Sequence, residues 1–253
     1  MWALYFMKVY GNEESNSNFA GGVDEKTFRK WSHIFVEAIS FLESSVVSIV
    51  LTILLLLRLK TSHPPMRLIY FNSCYSKILW DARIIGESRS LVTIDGTDMP
   101  VGLGFNKGFY GVKFNHSGLK YEVGVCIATG HIVWIHGPFR CGQNDLNISR
   151  TALIGALDPD ESAVADSGYR GEPHHIRTPE VGTEREIEMQ DLARARHETV
   201  NSRLKNFNVL GAQYFRHSIS FHSSCFRAVA VITQLSFENG APPFQVDFRD
   251  EEE

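Results

Sequence analysis

Residues 91–237 alternate between strand-like and helical patterns in an order that few folds can accommodate. Leu91–Ile94 is a compact apolar run that ends at Asp95, and residues 121–127 and 132–135 predict a hairpin around the Thr129-Gly130 turn. The patterns that follow predict a helix over about 145–157, a strand over 162–165 ending at Asp166, and helices over about 184–206 and 221–237. This order predicts an α/β fold, with a mixed sheet flanked by helices.

The composition supports a packed core but does not identify a partner. Apolar residues make up 43% of the 253 residues and charged residues 21%, which excludes global disorder. The net charge of −4 argues neither for nor against nucleic acid, so charge must be judged locally. The cysteines form no CxxC pair, which predicts buried free thiols and a reducing compartment; they are Cys74, Cys126, Cys141 and Cys225.

Three carboxylates stand in distinctive positions along this predicted fold. Asp95 and Asp166 each follow an apolar strand-like run, and Glu198 lies on the long helix rich in arginine. Ligands gather where the strands of such sheets end. Carboxylate oxygens are the ligands that Mg²⁺ and Mn²⁺ prefer, and two such cations can act on a phosphodiester. The three acids therefore predict a metal-dependent enzyme acting on a nucleic-acid backbone, or a relic of one.

The helix around Glu198 carries a local excess of positive charge. From Arg194 to Arg216 there are five Lys or Arg residues and one acid. Such a patch could contact several phosphates, with an affinity that falls steeply as salt rises. An ordinary solvated helix face with i,i+4 pairs is the alternative. The residues that we predict to contact DNA phosphates are Arg194, Arg196, Asn201 and Lys205.

Six motifs follow one another along the stretch from Leu91 to Asp247. They are Ile94-Asp95-Gly96-Thr97-Asp98, Gly118–Val125, Ile132–Phe139, Ala165-Asp166-Ser167-Gly168-Tyr169, Arg196–Asn201 with Leu204-Lys205, and Ile232–Gly240. In this order they resemble the DDE-superfamily endonucleases derived from Harbinger/IS5-type transposases, and the resemblance covers about 60% of the chain.

The resemblance implies an RNase H-like fold and a catalytic, metal-binding triad of Asp95, Asp166 and Glu198. It implies Mg²⁺ or Mn²⁺ as cofactor, a two-metal mechanism in which Asp95 bridges the ions, and hydrolysis of DNA followed by strand transfer. Asp98 and Asp145 are the nearest rival ligands; we expect Asp98 to be a strand-edge or supporting carboxylate and Asp145 to cap a helix. The resemblance also implies a nuclear location, a DNA substrate, a separate Myb-like DNA-binding partner and a homo-oligomer.

The N-terminal part of the chain departs from the family pattern. Residues 1–43 predict only a partial helical region, with a helix from Asp24 and no clear periodicity before it. Residues 44–77 are apolar and then irregular, and we hypothesise an insertion or translated intron. The apolar run Ser44–Leu57 is shorter than the ~20 residues of a membrane span, so we expect no stable membrane insertion. The endonuclease domain is predicted over 78–247 and an acidic tail over 248–253.

An alternative interpretation assigns the chain to a different class of protein. A decayed or domesticated transposase could keep the scaffold and act as a non-catalytic DNA-binding or interaction protein. The shortened N-terminal region and the odd segment 44–77 favour this alternative, whereas the intact set of three acids favours an active nuclease.

Overall fold

The computed structural model describes residues 1–47, 89–102, 107–111, 115–127, 129–157, 161–179, 182–211 and 215–244. Most of the predicted insertion, from residue 48 to 77, and the whole predicted acidic tail at 248–253 lie outside these residues. The domain boundaries proposed from the sequence therefore remain predictions.

Six described strands form one mixed sheet. β1 pairs antiparallel with β3 on one side and parallel with β5 on the other, β6 continues the parallel part beyond β5, and both β4 and the short β2 pair with β3. This arrangement confirms the predicted α/β class and is consistent with an RNase H-like fold. The strands are β1 (Arg89–Pro100), β2 (Tyr110–Gly111), β3 (His116–Cys126), β4 (Ile132–Arg140), β5 (Glu161–Val164) and β6 (Ile176–Arg177).

Two strands are longer than the sequence predicts. β1 does not end at Asp95 but continues for five residues to Pro100, because Gly96 to Pro100 pair in register with β3. β4 likewise passes through the cis peptide bond between Gly137 and Pro138 and pairs with β3 beyond it. Pairing with a neighbouring strand thus extends both strands into sequence that looks like turn or loop.

The N-terminal region is more helical than the sequence predicts. Residues 1–23, which show no clear periodicity, contain two helices, and the Asn12 side chain caps the second of them by accepting from the Ser15 N–H. The predicted helix from Asp24 is confirmed, with the Asp24 carboxylate accepting from the Thr27 N–H. These helices are α1 (Trp2–Val9), α2 (Glu13–Phe19), α3 (Glu25–Ser40) and α4 (Glu43–Val46).

The later helices flank the sheet. The predicted long helix begins with a reciprocal capping box between Thr183 and Glu186. Asn144, not Asp145, caps the helix that follows β4, so the predicted cap role of Asp145 is wrong. Within the described ranges, no helix is both long and apolar enough to cross a membrane. The helices are α5 (Asp145–Thr151), α6 (Leu153–Ala156), α7 (Glu184–Lys205), α8 (Asn208–Gly211) and α9 (Ile219–Glu238).

Apolar clusters cover both faces of the sheet. On one face, a large cluster joins Val123 of β3 to Val200 of α7, Phe226 of α9 and Phe6 of α1. On the other face, a smaller cluster joins Ile94 to α5 and α6 through side chains that include Leu146 and Leu153. Three of the four cysteines, Cys126, Cys141 and Cys225, are described, and all three are buried free thiols as predicted. The sheet is therefore a central layer, and each side chain of β1 faces one helical layer or the other.

Candidate active site between the sheet and α7

The parallel pairing of β1 and β5 brings two of the predicted acids side by side. Thr93 of β1 is the register partner of Val164, the last residue of β5. Asp95 and Asp166 each lie two residues beyond this pair, so they reach the same level of the sheet. Because side chains alternate along extended chain, both acids lie on the face occupied by Thr93 and Val164. That face is the one covered by α7, since Val164 packs with Ala193 of α7.

The third acid reaches the same place from α7. Thr93 Oγ1 lies 2.8 Å from His197 Nδ1 in a buried hydrogen bond, which fixes the helix against β1 immediately before Glu198. A cleft of about 350 Å³ opens between the sheet and the helix. It is lined by Ile94, Asp95, Asp166, Asp191, Arg194, Ala195, His197 and Glu198. The structure therefore places all three predicted acids, and a fourth carboxylate from Asp191, around a single opening.

A buried amide orients the Asp95 carboxylate. Asn201 is only 3% exposed, and its Nδ2 donates to Asp95 Oδ2 over 2.8 Å. A hydrogen bond to a charged acceptor of this kind is stronger than one between neutral groups. Asn201 therefore holds one oxygen of Asp95 in a fixed direction from the helix side.

The turn after β5 fixes Asp166. Its Oδ1 accepts from the Gly168 N–H over 2.9 Å and so caps a short 3₁₀ helix over Ser167–Tyr169. Tyr169 closes this turn from below and is 1% exposed. Burial raises the pKa of the Tyr169 phenol, and the surrounding carboxylate charges of Glu122 and Asp145 act in the same direction. Tyr169 thus remains a neutral packing residue beneath an exposed aspartate.

His197 is a packed residue and not a base. It is 2% exposed, and burial is the main reason why its pKa falls from 6.5 to about 3. The positive charge of Arg196 lowers it further, while the hydrogen bond with Thr93 opposes the shift. At neutral pH the ring is uncharged and serves to hold α7 on β1.

The structure separates the four residues predicted to contact phosphates into two groups. Arg196 is 1% exposed and donates to the carbonyl oxygens of Cys126 and Ile127, and the buried Asn201 donates to Asp95, so neither side chain is presented to a phosphate at the surface. Helix α7 therefore buries polar as well as apolar side chains against the sheet. Lys205 is exposed, and Arg194 lines the cleft.

Asp98 and Asp145, the rival ligands, lie on the opposite face of the sheet. Lys120 of β3 is the register partner of Asp98, and its Nζ lies 3.9 Å from Asp98 Oδ1 and donates to Asp145 Oδ1 over 2.6 Å. Burial raises the pKa of Asp98, although the Lys120 charge opposes the change. Burial alone would lower the pKa of Lys120, but the hydrogen bond and charge of Asp145 outweigh it and the pKa is raised. Both acids are thus paired with a buried ammonium group.

Two residues at or behind the cleft were not predicted from the sequence. Asp191 lines the cleft and binds Arg194 over 2.9 Å, and its seven-residue spacing from Glu198 on one helix could have indicated a shared face. Lys120 is a charged residue within an otherwise buried strand, and that contrast is the only sequence signal for its ion pair.

The cleft offers the right kind of ligand for a hard divalent cation. Its ionisable donors include the carboxylates of Asp95, Asp166, Asp191 and Glu198, and oxygen is the donor that Mg²⁺ and Mn²⁺ prefer. Among the described residues, no three His, Cys, Asp or Glu side chains are gathered closely enough to hold one ion. The donor chemistry therefore fits a metal, and the carboxylates would have to draw together around it.

Comparison with known proteins agrees with this geometry. The family model described as DDE superfamily endonuclease matches residues 94–234, which is more than half of the chain and spans β1 to α9. No curated protein and no solved structure matches the chain. The matched segment contains Asp95, Asp166 and Glu198, which line the cleft. The chain therefore belongs to the DDE superfamily endonucleases, a family that generally uses divalent metals.

Proposed function

We propose that the protein is a transposase-derived, Mg²⁺- or Mn²⁺-dependent DNA endonuclease of the Harbinger/IS5 type. The observation that carries this proposal is that Asp95, Asp166 and Glu198 line one cleft within the family-matching segment. The order of the six motifs along the chain favours the Harbinger/IS5 subtype over other members of the superfamily.

The roles of the chain's own groups follow from their positions. Asp95, Asp166 and Glu198 would hold the metal, with Asn201 keeping one oxygen of Asp95 in place. When bound, divalent cations stabilise charge on the phosphodiester oxygens and lower the pKa of water. The buried, uncharged His197 keeps α7 seated on the sheet and takes no part in proton transfer.

Substrate binding would use the basic side chains that remain at the surface. Arg194 lies at the cleft and Lys205 is exposed three helical turns further along α7. Point charges of this kind bind the DNA backbone without reading its sequence. Target choice would then come from a separate, Myb-like DNA-binding partner, with the endonuclease acting as a homo-oligomer in the nucleus.

The test is metal-dependent cleavage of DNA by the purified full chain and by three conservative variants. We expect Asp95→Asn, Asp166→Asn and Glu198→Gln each to lower the cleavage rate by at least about 1,000-fold, because each removes a negatively charged metal ligand. Mn²⁺ binding to the same proteins, measured by calorimetry with and without DNA, separates loss of metal from loss of chemistry.

Glu188→Gln is the matched control, because it removes an exposed carboxylate from α7 outside the cleft. It should cleave like the unmodified chain. A folded chain that neither cleaves DNA nor binds Mn²⁺ in the presence of DNA would contradict the proposal and support a non-catalytic DNA-binding protein.

A further inference from the structure

The carboxylate of Asp145 lies between the segments that carry two of the proposed metal ligands. Its Oδ1 comes so close to Gly96, the neighbour of Asp95, that a Cβ there would lie 2.6 Å away. Its Oδ2 would lie 3.5 Å from a Cβ at Gly168, the residue whose N–H binds Asp166. One side chain at the start of α5 thus lies against Gly96, beside Asp95, and close to Gly168 in the Asp166 turn, from the face opposite the cleft.

Lys120 fixes the position of this carboxylate. Its Nζ donates to Asp145 Oδ1 over 2.6 Å and to the Gln143 carbonyl oxygen over 3.2 Å. The Lys120 side chain is 9% exposed and that of Asp145 is 29% exposed, so the ammonium end of the pair is shielded from water while the carboxylate end is partly open. Lys120 belongs to β3 and Asp145 to α5, and the pair therefore ties these two elements to the same point of β1.

Simple helix capping does not account for Asp145. Asn144 already caps α5 through the Asn147 N–H, and Asp145 directs its oxygens toward β1, β3 and the Asp166 turn instead. The absence of a side chain at Gly96 leaves the room that this carboxylate fills, since a Cβ there would collide with it, whereas a Cβ at Gly168 would make an ordinary contact with it.

We propose that Asp145, held by Lys120, is a positioning residue that sets the distance between the Asp95 and Asp166 carboxylates from behind the sheet. The proposal rests on the proposed function for its consequence in catalysis. Its structural content is independent of that function: the Asp166 turn keeps its place on β1 because the Asp145 carboxylate occupies the space between them.

The experiment compares Asp145→Ala, which removes the spacer, with Asp145→Asn, which keeps its shape and an oxygen for Lys120. Hydrogen exchange of the Gly168 amide is measured on metal-free full chain, and Mn²⁺ binding is measured by calorimetry. We expect Asp145→Ala to speed the exchange and to weaken Mn²⁺ binding by about 10-fold, the low end for partners that orient metal ligands. Asp145→Asn should restore both toward the values of the unmodified chain, since it keeps the contact.

Glu172→Ala is the control, because it breaks the exposed ion pair with Arg150, 2.8 Å long, without touching the Asp166 turn. It should leave the Gly168 exchange and Mn²⁺ binding unchanged. If Asp145→Ala does not fold, Asp145→Ser replaces it, since serine offers Lys120 an oxygen but cannot reach both glycines.

The outcomes separate this proposal from the proposed function. Unchanged Gly168 exchange in folded Asp145→Ala or Asp145→Ser overturns the positioning role. Equal loss of Mn²⁺ in the Ala and Asn variants with unchanged exchange also overturns it, because Asp145 would then be a direct ligand. If the unmodified chain binds no metal, the proposed function fails, while the exchange measurement still decides the positioning role.

Discussion

The two faces of β1 carry acidic side chains in opposite circumstances. On the face toward α7, Asp95 opens onto a cleft that it shares with the exposed Asp166 and Glu198. On the face toward α5, Asp98 and Asp145 pair with the buried Lys120. Residues of one twelve-residue strand thus contribute both to an open acidic cleft and to a buried ion pair.

Glu122 extends this contrast to the neighbouring strand. It is completely buried and accepts hydrogen bonds from Ser149 and Trp134. Burial raises its pKa, although these hydrogen bonds oppose the change. An acid in this sheet is structural where the protein encloses it, as at Glu122, and is a candidate ligand where it opens onto the cleft, even though Asp95 and Asp166 also accept hydrogen bonds from the protein.

The largest effect should follow from breaking the pair on the α5 side. Lys120→Met should lower the free energy of unfolding by about 2 kcal/mol, because Asp98 loses its cation while remaining largely enclosed and Asp145, 29% exposed, is only partly compensated by water. Urea denaturation at pH 7 measures the change. Adding Asp145→Asn to Lys120→Met should recover part of the loss, and a double variant no more stable than the single one would show that unpaired charge is not the cause.

Loss of the hydrogen bond between Asn201 and Asp95 across the cleft should cause the second-largest loss of stability. Asn201→Ala should cost about 1.5 kcal/mol of unfolding free energy, because Asp95 loses a buried donor to its charged oxygen. Asn208→Ala removes an exposed amide that donates to the Val9 carbonyl and should cost much less. Equal losses in the two variants, compared by denaturant titration, would argue against a special link between Asn201 and Asp95.

His197 should make the stability of the α7 side depend on pH. Its pKa falls to about 3 in the native state. On acidification below pH 6.5, His197 is therefore protonated in the unfolded chain while it remains neutral in the native chain. This contribution is complete above pH 6.5 and is lost as pH falls, by about 1.4 kcal/mol for each pH unit between 6.5 and 3. The difference in unfolding free energy between pH 6 and pH 5 should be smaller in His197→Gln by that amount. A variant with the same pH dependence as the unmodified chain would assign the effect to other buried histidines.

Substitution of Asp191 should change stability only slightly but should change the affinity for DNA. Its ion pair with Arg194 is partly exposed, so Asp191→Asn should change the unfolding free energy by less than about 1 kcal/mol. Releasing Arg194 should strengthen DNA binding several-fold at low salt, an advantage that high salt removes. Fluorescence anisotropy with duplex DNA at two salt concentrations tests this. Arg194→Gln should weaken binding, and the same affinity in both variants would exclude a role for this pair in DNA binding.

The acids of the cleft itself should matter least for stability. Asp166→Asn and Glu198→Gln should each leave the unfolding free energy within about 0.5 kcal/mol of the unmodified chain, because both side chains are exposed. Thermal unfolding measures this alongside the cleavage assays. A loss of unfolding free energy as large as that of Lys120→Met would contradict the proposed difference between the two faces of the sheet.

Local patterns predicted the elements that carry their own signals. The helix from Asp24, the long helix from Glu184 and the short strand before Asp166 lie where local sequence patterns predict them. Residues 96–100 and the two N-terminal helices were missed, because their conformation depends on strand pairing or on packing against α9 and α8. The inward positions of Arg196 and Asn201 were missed for the same reason, since helical spacing does not say which polar side chains are covered.

Spacing along the chain was enough to predict the class of fold, the order of the elements with clear periodicity and the three acids that are candidates for metal binding, because each acid adjoins a strand or lies on a helix. The folded chain was needed to show that Asp95 and Asp166 reach the same level of the sheet, that Asn201 and Arg196 lie inside, and that Lys120 neutralises acids behind the cleft. Those facts depend on register and on contacts between residues about 25 to 106 positions apart, which no local pattern records.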